Sequence, residues 1–139
     1  MERGSVKHVV DRDFSEIISG HESEYYLDCS LRDPMGIFSH VTETFVPEKH
    51  FKFLPPNIKA QVVGSDKRFS VTLTSDSYAK AVEVSFEDRD AVFSSNYVDI
   101  TSSAPIKISF NIVGGLETAE HLNRTIKVKS LYDVGNVRR

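Results

Sequence analysis

Phe93-Ser94-Ser95-Asn96-Tyr97-Val98-Asp99-Ile100 is the stretch on which the fold turns, read together with the runs that precede it. Phe69-Ser70-Val71-Thr72-Leu73-Thr74 alternates apolar and polar residues, and Lys80-Ala81-Val82-Glu83-Val84-Ser85-Phe86 does the same. A period of two places one set of side chains on one face of a strand, and that face must be buried against something. Working outward, candidate strands fall at 57–63, 69–75, 79–87, 91–97, 105–113 and 124–132. Gly64-Ser65-Asp66, Glu87-Asp88-Arg89-Asp90 and Ser102-Ser103 supply turn chemistry between them. Short strands at this spacing predict an all-β fold, an antiparallel immunoglobulin-like β-sandwich. Residues 114–123 break the alternation. Thr118 suits the cap of a single turn there, but an ordered loop is the preferred reading.

Towards the N-terminus, residues 24–32 alternate, with Tyr25, Leu27, Cys29 and Leu31 on one face. Asp33-Pro34-Met35-Gly36 then turns the chain into a return strand over 37–46. Residues 6–10 and 14–18 read as two shorter strands. Pro47 and Pro55-Pro56 punctuate the chain, because proline cannot donate to a sheet ladder. The boundary is set there. Residues 51–139 form the C-terminal sandwich, and 1–50 are either the end of a preceding sandwich or extra strands packed on the second. In the first case an open sheet edge would favour self-association.

The 139 residues carry 17 basic and 20 acidic side chains, a net charge of −3, and lack the clustered basic face of a nucleic-acid binder. No apolar run approaches the ~18 residues of a membrane span, and the N-terminal residues have no leader-like apolar core. Neither nucleic acid nor membrane is expected as a partner. Cys29 is the single cysteine, so the chain holds no internal disulfide. A buried structural thiol is expected, and with it a cytoplasmic location.

Chemistry-bearing patterns are sparse. Asp88 and Asp90 come nearest to a carboxylate pair, but Arg89 separates them in a turn, and a solvated tip is the better reading. Asp11-Arg12-Asp13 with Glu16 lacks the glycine and regular spacing of a calcium loop. His8, His21, His40, His50 and His121 show no zinc-ligand spacing. No metal or cofactor is expected. Asn123-Arg124-Thr125 fits a glycosylation sequon, for which chance is the better explanation. Tyr26, Phe93, Asn96, Tyr97 and Tyr132 are the candidates for domain-interface or sugar contact, interface being preferred because the chain has no tryptophan platform.

Two groups of residues resemble the C-terminal immunoglobulin-like domains of family 2 glycoside hydrolases of the β-mannosidase type. One is Tyr25-Tyr26-Leu27-Asp28-Cys29-Ser30-Leu31-Arg32-Asp33-Pro34-Met35-Gly36 with Phe45-Val46-Pro47-Glu48-Lys49-His50-Phe51, similar to the end of the penultimate domain. The other runs from Phe69-Ser70-Val71-Thr72-Leu73 through the 93–100 stretch to Ile126-Lys127-Val128-Lys129-Ser130-Leu131-Tyr132-Asp133, similar to the terminal domain. The usual S-D-N-Y stands here as Ser94-Ser95-Asn96-Tyr97, one carboxylate short, and Thr101-Ser102-Ser103-Ala104-Pro105 replaces a glycine-containing turn. The resemblance implies a retaining parent enzyme whose catalytic glutamates lie in an upstream barrel. None can be carried onto this chain. It implies a non-catalytic accessory domain that packs on the catalytic barrel and neighbouring domains during hydrolysis of terminal β-mannosides. A free-standing carbohydrate-binding module, marked by aligned aromatics on an open face, is the alternative. A generic interaction domain with polar surfaces is the third reading.

Overall fold

Alternation becomes burial wherever two sheets face each other. The computed structural model describes residues 8–137, without the side chains of 37, 38, 136 and 137. The chain divides into two units, Met1–Phe51 and Lys52–Arg139.

In the second unit, β3 (Lys59–Asp66), β4 (Arg68–Thr74), β6 (Ala91–Phe93), β8 (Ile106–Ile112) and β9 (Glu117–Thr118) form a five-stranded sheet in the order β6-β8-β4-β3-β9. Facing it is a three-stranded sheet of β10 (Ile126–Lys129), β5 (Ala79–Phe86) and β7 (Val98–Ile100), with β5 in the middle. Every pairing is antiparallel. Phe69, Val71 and Leu73 of β4 and Ile108, Phe110 and Ile112 of β8 point inward against Val82, Val84, Phe86 and Ile100. Phe110 anchors the aromatic part of this core, with ring centroids 5.6 Å from Phe69, 5.3 Å from Phe86 and 5.2 Å from Phe93. The chain is an all-β, antiparallel immunoglobulin-like sandwich.

The second unit departs from the sequence reading at short elements. Residues 114–123 are not simply a loop, because 119–125 form helix α2 (Ala119–Thr125). Thr118 caps it by accepting the amide of His121 at 3.2 Å, and Leu122 seals the core with no exposed surface. The last strand spans only Ile126–Lys129, and the chain then turns into helix α3 (Leu131–Val137). Asp133 starts that turn by accepting the amide of Ser130 at 2.7 Å. The expected strand at 91–97 is cut short: β6 stops at Phe93, and a separate strand, β7, begins at Val98 on the opposite sheet. Gly64, Ser65 and Asp66 belong to β3 rather than to a turn. Gly64 has φ +131, and a Cβ there would lie 2.4 Å from the Arg68 carbonyl oxygen.

In the first unit, β1 (Tyr26–Asp33) and β2 (Gly36–Thr44) form the expected hairpin, with the Asp33 carboxylate accepting the Met35 amide at 2.8 Å. Residues 14–18 are not a strand. A single helical turn, α1 (Ser15–Ile18), stands there, its Ser15 amide bound by Asp13 at 2.9 Å. Of the other expected short strand, residues 6 and 7 lie outside the described residues, and 8–10 are not in a strand. Cys29 is exposed, not buried. It pairs with Val41 on a hairpin face where Leu31 and Val41 are each 52% exposed. Alternation marked the apolar face, but among the unit's described residues no second sheet covers it. Among the unit's described residues only Thr42 is buried.

Candidate functional site

The 93–100 stretch carries the chain from one sheet to the other, and its polar residues make that crossing possible. Tyr97 takes a left-handed conformation, φ +56, which is uncommon for a residue with a Cβ. A backbone turned this way cannot continue the β7 ladder, so a side chain does. The Asn96 Oδ1 accepts the Val84 amide at 2.9 Å, and its Nδ2 donates to the Val84 carbonyl at 3.0 Å. That amide supplies the next rung beyond the Val82–Val98 pair.

Asp99 performs the matching task three residues earlier along β5, at Ala81. The β5–β7 register shifts between Ala79 and Val82, and Ala81 has φ +52. The bulge lets both Ala79 and Val82 face the core, and it leaves the Ala81 amide unmatched by the ladder. Asp99 Oδ1 accepts that amide at 3.0 Å, while Oδ2 meets the Lys80 ammonium at 3.0 Å. N-Y-x-D is thus a device for binding an irregular strand.

A third side chain repeats the arrangement on the other sheet. Asn123 of α2 accepts the Val62 amide at 2.8 Å and donates to the Val62 carbonyl at 3.0 Å and the Ala119 carbonyl at 2.9 Å. It closes part of the outer edge of β3, where a free strand edge invites pairing. The sequon asparagine therefore has its Nδ2, the atom a glycan would take, committed to two carbonyls.

At one end of the sandwich, Arg89 Nε donates to Glu117 at 2.8 Å and His121 Nε2 lies 2.8 Å from Asp88. His121 also lies 4.0 Å from Glu117. Glu117 is held below the ordinary carboxylate range, first by the Thr118 amide and then by Arg89. Asp13 is likewise lowered, by its bonds to Ser15. Among the described residues no group of three or more His, Cys, Asp or Glu side chains is placed to hold a metal ion.

The five candidate contact residues do not form one cluster by element: one is on β1, three are on β6 and the β6–β7 crossing, and one is on α3. Tyr26 is half-buried on β1, in the first unit. Phe93 stacks on Phe86 at 6.2 Å and sits among the core phenylalanines. Asn96 is committed to Val84. Tyr97 is 65% exposed, its hydroxyl donating to Glu83 at 3.4 Å, and Tyr132 is half-buried on α3. Sequence reasoning missed Asp99 and Asn123. The available signal was an Asn and an Asp flanking a tyrosine at a sheet crossing, and an Asn one residue after the helix's single buried leucine.

The outward face of the five-stranded sheet holds a shallow depression of about 540 Å³, floored by β4, β6 and β8. The sequence model of the mannosidase immunoglobulin-fold domain matches residues 53–134. The chain belongs to this family. A comparison with curated proteins finds no match. The matched segment starts just after the division between the two units and takes in both sheets and helix α2.

Proposed function

We propose that this mannosidase-type immunoglobulin-fold chain is a non-catalytic accessory domain of a β-mannosidase-like glycoside hydrolase, packing on and supporting the catalytic barrel. The observation that carries the reading is what this domain's polar residues do. Asn96, Asp99 and Asn123 are spent on backbone groups of β5 and β3, and Glu117 on Arg89 and Thr118. Glycoside hydrolysis needs two carboxylates flanking a sugar, about 5 Å apart in a retaining enzyme. The half-buried acids Asp99 and Glu117 instead hold structure together.

Under this reading the first unit is the closing hairpin of a preceding sandwich. Its exposed Leu31 and Val41 support that assignment, since such a face is normally covered by a second sheet. The test is an activity assay with an aryl β-mannoside, on the full chain alone and on the separately expressed catalytic barrel with and without it. The chain should be inactive, and it should lengthen the barrel's half-life on heating. Turnover by the chain alone, or an unchanged half-life, would refute the proposal.

A further inference from the structure

Outward positions on β4 and β8 alternate with the buried ones, and with the outward Val92 of β6 they include Arg68 and Lys107 but no carboxylate. This is a cationic face on a chain whose net charge is −3. Arg68 lies opposite Asn111, and Ser70 opposite Ser109. Ser94 joins the row by accepting the Ser109 amide at 3.2 Å and donating its own amide to the Ser109 carbonyl at 2.8 Å. These residues and Lys107 line the depression of about 540 Å³. The Arg68 and Lys107 head groups have no ion-pair partner among the described residues. Lys107 and Asn111 are four residues apart on β8, so the two cations flank the hydroxyl floor across roughly 13 Å of strand.

We propose that this face binds an acidic oligosaccharide, a short uronate-containing chain lying across β4 and β8. Carboxylates meet Arg68 and Lys107 in charge-assisted hydrogen bonds, the strongest such contacts a surface offers. Serine hydroxyls and the Asn111 amide, which both donate and accept, match the hydroxyls of the intervening rings. No aromatic side chain points outward here, so a neutral sugar has no ring to stack on, and charge must carry recognition. The site is independent of the accessory role proposed above and stands or falls separately.

The experiment is a nitrogen-15 NMR titration of the full chain with tetragalacturonate, its methyl ester and tetraglutamate, repeated on the R68Q/K107Q variant. Both substitutions are at outward positions, and the variant's spectrum reports directly that it is folded. Tetragalacturonate should shift the amides of Ser70, Ser94, Ser109 and Asn111, and its affinity should fall as salt is raised. The methyl ester should leave them unmoved, and the variant should bind at least about tenfold more weakly. No shift with tetragalacturonate, equal response to the ester or to tetraglutamate, or undiminished binding by the variant would each overturn the proposal.

Discussion

Asn96 shows how much of this fold rests on single side chains. Its amide completes a ladder that the left-handed Tyr97 interrupts, with both Val84 backbone groups as partners. Asn96→Ala leaves those partly buried groups unpaired and is expected to destabilise the chain by about 2–3 kcal/mol in urea unfolding. Asn96→Asp should be at least as damaging, because it turns an acceptor oxygen toward the Val84 carbonyl in place of a donor. A fully tolerated aspartate would mean that the amide bonds contribute little. Gly64 is constrained by space and backbone together. Any Cβ there meets the Arg68 carbonyl at 2.4 Å and the Phe69 Cα at 2.7 Å, with φ at +131. Gly64→Ala should therefore cost about 3 kcal/mol or more, far above the effect of an ordinary surface substitution. Circular-dichroism melting of the variant checks this, and a melting temperature within a degree of the parent's would contradict it.

Among the elements, the long alternating strands were readable and the short segments were not. Phe69, Val71 and Leu73 of β4 and Ile108, Phe110 and Ile112 of β8 all face inward, as a period of two requires. Helix α2 gives no comparable signal, since Leu122 is its one fully buried residue and a single apolar position has no period. Strand β7 is three residues long and is recognisable only through what Asn96 and Asp99 bind. Cys29 was misread because alternation identifies a face but not whether anything covers it. The capped start of α2 also has a pH signature. Glu117 accepts the Thr118 amide at 3.0 Å and the Arg89 side chain at 2.8 Å, and both favour its ionised form. A carboxyl whose folded pKa is lowered contributes stability that is complete above its ordinary value of 4.5 and is lost as pH falls toward the folded value. Glu117→Gln should thus be less stable than the parent at neutral pH, and the gap should close as pH drops below 4.5. Urea midpoints measured across that range test the sign, and a gap that widened on acidification would reject it.

At the scale of the molecule, the chain holds a two-sheet sandwich with its own core and a hairpin unit in which no described apolar residue is buried. Hydrogen exchange should report this difference. Amides of β4, β5 and β8 are expected to exchange only on global unfolding, and those of β1 and β2 much faster. Equal protection of the two units would be inconsistent with it. The family match establishes what kind of domain this is, while the accessory role depends on what it packs against. Sedimentation velocity of the full chain, mixed with the separately expressed catalytic barrel of the proposed parent enzyme, tests that role most directly. The account predicts a faster-moving complex that holds both chains and does not change when mannose oligosaccharides are added. Two independently sedimenting species at micromolar concentration would contradict it.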